Sequence, residues 1–150
     1  MLFRSHTDSD KITDDWAIKN KIEPSLRKIQ ACNDNICKLV VPVIPVRMSE
    51  SWMLADKNLF KQEIYTKKSD HELGINNHPE SYANPKQIIE NAIRIAQQDK
   101  AKRHRCNVKI GDLYQPIGEG VTLDALRQLL SFRKFEDNVR NAFRELKYLN

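Results

Sequence analysis

The chain has 150 residues, of which 40% are hydrophobic and 30% are charged, and its formal net charge is +5. A chain of this length fits one domain with a single hydrophobic core, and no apolar run approaches the roughly 20 residues that span a bilayer. We therefore expect a single domain over residues 1–150 that does not associate with a membrane.

The N-terminus and the cysteines predict a cytoplasmic protein. The apolar residues before Arg4 are fewer than the about 7–15 that a secretory signal contains. Cys32, Cys37 and Cys106 are odd in number and lack C-x-x-C spacing. This pattern is typical of reduced thiols rather than of a disulfide framework or a zinc ribbon.

Two carboxylates follow the first apolar segment, in the sequence Asp8-Ser9-Asp10. In an extended backbone, residues i and i+2 project to the same side, so Asp8 and Asp10 would lie together. Mg²⁺ at phosphoryl-transfer sites is commonly held through one or two carboxylates. The pair is therefore a candidate Mg²⁺ site. Turn formation or helix capping explains the same pattern equally well.

A helical pattern runs from Thr13 to about Ala31, with apolar residues spaced by four, four and three. Pro24 interrupts this pattern. It predicts either a kinked helix or two short helices, with Pro24 in the first turn of the second.

The longest apolar run, Val40–Val46, predicts a buried strand, which Pro42 and Pro45 keep short or at a sheet edge. Strand, helix and strand in succession are typical of a βαβ unit with parallel strands. Parallel strands end at the same edge of a sheet. We therefore expect Glu50, just beyond the second strand, to join Asp8 and Asp10 in one site. An ordinary core strand and helix is the alternative.

The fold class predicted for the whole chain is α/β, with a βαβ core over residues 1–56 and a mainly helical remainder over residues 57–150. Asn84 and Pro85 predict the start of one helix, and Thr122 and Ser131 predict the starts of two more. A minor strand is expected over Cys106–Ile110. Glycine and proline predict loops over residues 69–84 and 111–120.

Basic residues are concentrated in the run from Lys100 to Arg105 and along the C-terminal helices. Such a surface attracts phosphate groups, so Arg103 and Arg105 are candidate nucleic-acid ligands. Lys86 is a third candidate, because the helix dipole disfavours a cation in a first turn and an anion nearby would offset that cost. The alternative is a solvated surface with no ligand.

The chain resembles an uncharacterised bacterial family of Toprim-like proteins, with the motif E-[AS]-W-[LM]-L-A-D as its most specific feature. The similar segments are His6–Asp10, Pro42–Arg47, Glu50–Asp56, Pro79-Glu80, Asn84–Lys86 and Leu126–Phe135. The resemblance implies the α/β Toprim fold of topoisomerases, primases and overcoming-lysogenization-defect nucleases. In those domains a glutamate and a D-x-D motif hold Mg²⁺, and Asp8 and Asp10 match the D-x-D.

The chain departs from that family at its N-terminus, because Asp8 lies seven residues after Met1. We therefore expect the first half of a Toprim domain, with its general-base glutamate, to be missing or supplied by another chain. An exposed strand edge would then allow pairing with another strand, so a second copy of the chain is a candidate partner in a homo-oligomer.

Two functions follow. The first is a Mg²⁺-dependent nuclease-like domain of bacterial anti-phage defence that is incomplete as a catalyst, with Asp8, Asp10 and Glu50 as metal ligands and Glu50 as the catalytic residue. Arg103, Arg105 or Lys86 would contact phosphate. The second is a non-catalytic interaction protein, whose partner the resemblance suggests to be an ATPase.

Overall fold

The computed structural model describes residues 15–33, 38–98 and 108–149, together with the backbone of residues 3–6. Within these ranges there are two strands, β1 (Phe3–His6) and β2 (Val40–Val43). The α-helices are α1 (Asp15–Ala17), α2 (Glu23–Ala31), α3 (Glu50–Met53), α4 (Lys57–Glu63), α5 (Pro85–Gln98), α6 (Ile110–Gly120), α7 (Leu123–Leu126) and α8 (Leu130–Glu145). A π-helical turn, Ile18–Ile22, joins α1 to α2, and a 3-10 turn covers Pro79–Ser81.

The two strands pair in parallel, with Phe3 opposite Val40 and His6 opposite Val43. The predicted parallel orientation is therefore confirmed. The predicted fold class, an α/β domain with a partial Toprim-like parallel sheet, is wrong, because the described residues are mostly helical. Each strand has four residues, whereas the sheet of an α/β domain has several strands covered on both faces.

The first helical segment changes its geometry just before Pro24. The π-helical turn ends at Ile22, and α2 begins at Glu23 with Pro24 in its first turn. The sequence predicted a kinked helix or two short helices, and the structure has a continuous helical path in which Ile22 and Glu23 both keep right-handed helical backbone angles. The N–H of Glu23 donates to the carbonyl of Ile18, five residues earlier, so the turn before Pro24 is wider than an α-helical turn, and the N–H that Pro24 lacks falls next to this irregularity. Ala17, Ile22 and Ile44 form a small buried cluster beside it.

The main core lies in the middle of the chain, between α3, α4, α5 and α6. Its fully buried members include Leu54, Phe60, Ile64 and Ile89. The segment 69–84, which the sequence predicted as a loop, supplies Leu73, Ile75 and Tyr82 to the same core. Burial raises the pKa of the Tyr82 hydroxyl. The segment is thus anchored from within, although most of it is irregular.

Residues 110–120 form helix α6, so the predicted loop over residues 111–120 is wrong. The predicted strand over Cys106–Ile110 is also wrong in its described part, residues 108–110. Cys106 and Asn107 lie outside the described residues. Leu113 and Ile117, four residues apart, are both buried in the core, and this tertiary packing outweighs the low helix propensity of glycine and proline. Gly120 also allows α6 to approach Leu59, whose methyl carbons would lie 3.2 Å from an added Cβ.

The predicted helix caps fall into two groups. Asn84 Oδ1 accepts the backbone N–H of Gln87, and Thr122 Oγ1 accepts that of Ala125, so both are caps as predicted. Ser131 is not a cap, because α8 begins at Leu130 and the hydroxyl of Ser131 is used elsewhere. Helix α8 packs against β2 and so joins the C-terminal part of the chain to the N-terminal part.

Candidate functional site

Glu50, the predicted catalytic residue and metal ligand, is buried in the first turn of α3, with 6% of its surface exposed. The hydroxyl of Tyr114 on α6 donates to Oε1 at 2.8 Å. The hydroxyl of Ser49 donates to Oε2 at 3.4 Å. A buried carboxylate needs such donors to offset its lost hydration. Both oxygens therefore have protein partners, and the Tyr114 bond joins α6 to α3.

A second network ties the start of α8 to the centre of the chain. The carboxylate of Glu80 accepts the backbone N–H groups of Leu130 and Ser131, both at 2.9 Å. A carboxylate at a helix N-terminus satisfies unpaired N–H groups and interacts favourably with the helix dipole. The indole N–H of Trp52 donates to the Ser131 hydroxyl at 2.8 Å.

Aromatic packing strengthens the same junction. The ring of Trp52 lies edge-on to Phe132, with centroids 5.3 Å apart, and 6.2 Å from the ring of Phe135. Such pairs add roughly 0.5–1.5 kcal/mol beyond burial of their area. The structure thus brings together three segments that the sequence singled out, namely 50–56, 79–80 and 126–135, in a structural junction.

The remaining predicted site residues are not brought together within the described part of the chain. Asp8, Asp10, Arg103 and Arg105 lie outside the described residues. Lys86 is exposed in the first turn of α5. Within residues 15–33, 38–98 and 108–149, no three His, Cys, Asp or Glu side chains form a group that could hold a metal ion.

A polar cleft of about 690 Å³ lies between the start of α4, residues 76–79 and α7. Its acidic side chains already have partners. Asp70 contacts Lys61 at 2.7 Å, and Asp124 contacts Arg127 at 3.1 Å. Asp56 caps α4 through Oδ1. These contacts hold the three carboxylates against the walls of the cleft.

The last turn of α8 has the geometry of a Schellman motif. The N–H of Tyr148 donates to the carbonyl of Phe143, and the N–H of Lys147 donates to that of Arg144, both at 2.9 Å. This motif requires a left-handed residue, usually glycine, and here Lys147 adopts it with φ of 59°. The turn folds Tyr148 back onto Phe143, with ring centroids 6.2 Å apart.

This turn creates an apolar surface at the end of the chain. Four large side chains of this surface are exposed to solvent. The exposed fraction is 40% for Phe143, 40% for Leu146, 74% for Tyr148 and 45% for Leu149. Three of them, Phe143, Tyr148 and Leu149, line a groove of about 440 Å³ together with Val139. We call these four residues and the groove the C-terminal surface.

A cluster of charges borders the groove. The guanidinium of Arg127 contacts Glu136 at 2.7 Å, and that of Arg140 contacts the same carboxylate at 3.0 Å. Hydrogen bonds from Arg127 first, and from Arg140 second, lower the pKa of Glu136 to about 2. The same carboxylate raises the pKa of Arg127. The cluster links the short helix α7 to α8.

No protein-family model, no curated protein and no solved structure matches this chain. The comparisons therefore leave the resemblance to Toprim-like proteins as a prediction from sequence. None of the helices in the described ranges combines the length and the apolar character that crossing a membrane requires.

The sequence did not predict the C-terminal surface. Phe132, Phe135, Val139, Phe143 and Leu146 recur at helical spacing, and such a stripe ordinarily faces the core over its whole length, whereas here Phe132 is buried and Phe143 is exposed. One feature of the sequence could have indicated this exposed apolar surface. Apolar residues continue past the end of α8, at Tyr148 and Leu149, where a helix ending in solvent would ordinarily become polar.

Proposed function

We propose that this chain is a non-catalytic interaction protein that binds a partner protein through the C-terminal surface. The observation that carries the proposal is the exposure of four large apolar side chains, Phe143, Leu146, Tyr148 and Leu149, all but Leu146 of which line a groove. Contiguous apolar surface on a folded protein marks interaction sites, whereas isolated exposed apolar residues are ordinary.

The arrangement of the acidic residues supports the same proposal. Glu50 and Glu80 are carboxylates of segments that carry the family resemblance, and each accepts at least one hydrogen bond from a distant helix. A catalytic or metal-binding carboxylate must have lone pairs directed towards a ligand. Each oxygen of these two carboxylates accepts a hydrogen bond from the protein itself.

Site-specific photo-crosslinking tests the proposal. A residue with a benzophenone side chain replaces Tyr148, and the chain is expressed in cells of its source so that light cross-links it to bound proteins. The cross-linked partner is then identified, purified and mixed with the natural chain. We expect a complex of defined stoichiometry in size-exclusion chromatography. Phe143→Ser with Leu146→Ser should abolish that complex, because both side chains contribute apolar contact area.

Leu123→Ser is the matched control, since Leu123 is also exposed but lies on α7, outside the C-terminal surface. This variant should retain the complex. A complex that survives the double substitution would contradict the proposal. So would cross-links confined to the chain itself or to a second copy of it. An ATPase as the partner stays a prediction.

A Mg²⁺-dependent phosphoryl-transfer domain is the second candidate. It is favoured by the parallel pairing of β1 with β2, since both strands end at the same edge and Asp8 follows β1 by two residues. A bound metal stabilises the native state by mass action. Mn²⁺ should then raise the melting temperature of the chain, and Asp8→Asn with Asp10→Asn should abolish that increase. An equal increase in the double variant would exclude these residues as ligands.

A further inference from the structure

A row of cations runs along α8 beside the apolar side chains. Arg133, Arg140 and Arg144 are separated by seven and four residues, spacings that place side chains on the same side of a helix. Arg140 lines the groove of the C-terminal surface together with Phe143. Apolar and cationic groups therefore lie next to each other on one exposed surface.

This positive charge is only partly neutralised within the chain. Arg140 shares the carboxylate of Glu136, which also lines the groove, with Arg127, and Arg127 contacts Asp124 as well, so these two cations face two acids. Arg144 donates to the amide oxygen of Asn141 at 3.1 Å and forms no ion pair within the described residues. Over residues 130–149 the five basic residues exceed the three acidic ones by two.

We infer that the occupant of the C-terminal surface is an acidic amphipathic helix of a partner protein. Its apolar side chains would enter the groove beside Phe143, and its carboxylates would face Arg140 and Arg144. Amphipathic helices commonly bind apolar grooves in this way, and complementary charge at the rim selects the partner. The inference rests on the proposed function and specifies the chemistry of the partner.

Two other occupants fit the surface less well. A second copy of the chain would bring the same excess of positive charge against itself, and like charges oppose association. An anionic membrane would complement the charge, but a bilayer is broad and fluid, whereas the groove of about 440 Å³ between α8 and the turn at Tyr148 suits individual side chains.

Binding of two synthetic peptides to the full chain tests the inference. One is a helical peptide of about 20 residues, long enough to form a helix, with leucine on one face and glutamate on the other. The second peptide carries lysine in place of glutamate. By fluorescence anisotropy at low salt, the glutamate peptide should bind at least about tenfold more tightly.

Two substitutions locate the binding site on the chain. Arg144→Glu should weaken binding of the glutamate peptide about tenfold. Arg94→Glu, on the exposed side of α5, changes the net charge equally and should have little effect. Phe143→Ser should also weaken binding, whereas Leu123→Ser should not. The four substituted residues of these variants are all exposed to solvent, so each variant should fold.

Several results would overturn the inference. The lysine peptide could bind as tightly as the glutamate peptide or more tightly, or Arg144→Glu and Arg94→Glu could weaken peptide binding equally. The chain could also bind only to vesicles that contain phosphatidylserine, or associate with itself without binding either peptide. If the cross-linked partner contacts the C-terminal surface through a neutral or basic segment, the inference fails while the proposed function stands. If no partner is found and both peptides bind equally, both fail.

Discussion

At the scale of single residues, Glu50 shows how burial changes the meaning of a motif. The sequence placed a carboxylate beyond an apolar strand, which is typical of a metal site in an open α/β sheet. In the structure, the hydroxyl of Tyr114 donates to this carboxylate from a helix more than 60 residues further along the chain. Nothing in the local sequence indicates that contact, because it depends on the packing of α6 against α3.

Replacement of Tyr114 by phenylalanine tests the structural role of Glu50. The substitution removes the donor to Oε1 while keeping the ring, so a buried carboxylate loses a hydrogen bond. We expect the free energy of unfolding in urea to fall by about 1–3 kcal/mol. Tyr148→Phe is the control, since Tyr148 is the most exposed large apolar side chain of the described residues. Equal stability of both variants would refute the structural role.

At the scale of secondary-structure elements, local signals succeeded where a side chain satisfies its own helix. Asn84 and Thr122 cap helices as predicted, because a cap acts over three residues. Ser131 resembles a cap in sequence, but Glu80 satisfies the first N–H groups of α8 from 50 residues away. Helix α6 was missed for the same reason, since its stability comes from contacts with the core rather than from its composition.

The contact between α7 and α8 predicts a dependence of stability on pH. The pKa of Glu136 is lowered from 4.5 to about 2 by its arginine partners. Its ionised form therefore stabilises the folded state above about pH 4.5, and this contribution is lost as the pH falls towards about 2. The difference in unfolding free energy between the natural chain and Glu136→Gln should be constant near neutral pH and should shrink below about pH 4.5.

Salt provides an independent check on the same ion pairs, because both Arg127 and Arg140 are partly exposed to solvent. Added NaCl should reduce the difference between the two proteins at neutral pH. Glu90→Gln, an exposed residue of α5 without an ion pair in the described ranges, is the control. A difference that stays constant from neutral to acidic pH would contradict the assignment.

At the scale of the whole molecule, the sequence predicted the two paired strands and their orientation but not the class of fold. Parallel pairing followed from the chain order of Phe3–His6, a helix and Val40–Val43. The extent of the sheet could not be read in the same way, because the number of strands depends on long-range pairing. The described residues beyond Val43 form helices and irregular segments, and their core centres on α3 to α6.

The exposed surface of the whole molecule was equally hard to predict. Periodicity shows which residues of α8 share a face, and it does so correctly for Phe132 and Phe135, which pack against Trp52. It does not show how far along the helix the neighbouring elements extend. The same stripe is covered at Phe132 and exposed at Phe143, and this difference is the basis of the proposed function.

The most direct test of a non-catalytic role is an assay of DNA and RNA cleavage by the purified chain in the presence of Mg²⁺. We expect no cleavage above that of the buffer, because the oxygens of Glu50 are engaged by Tyr114 and Ser49. The contradicting result is robust Mg²⁺-dependent cleavage by the purified chain. If Glu50→Gln abolishes that cleavage and Tyr114→Phe, which keeps the carboxylate, leaves it intact, Glu50 is the residue responsible.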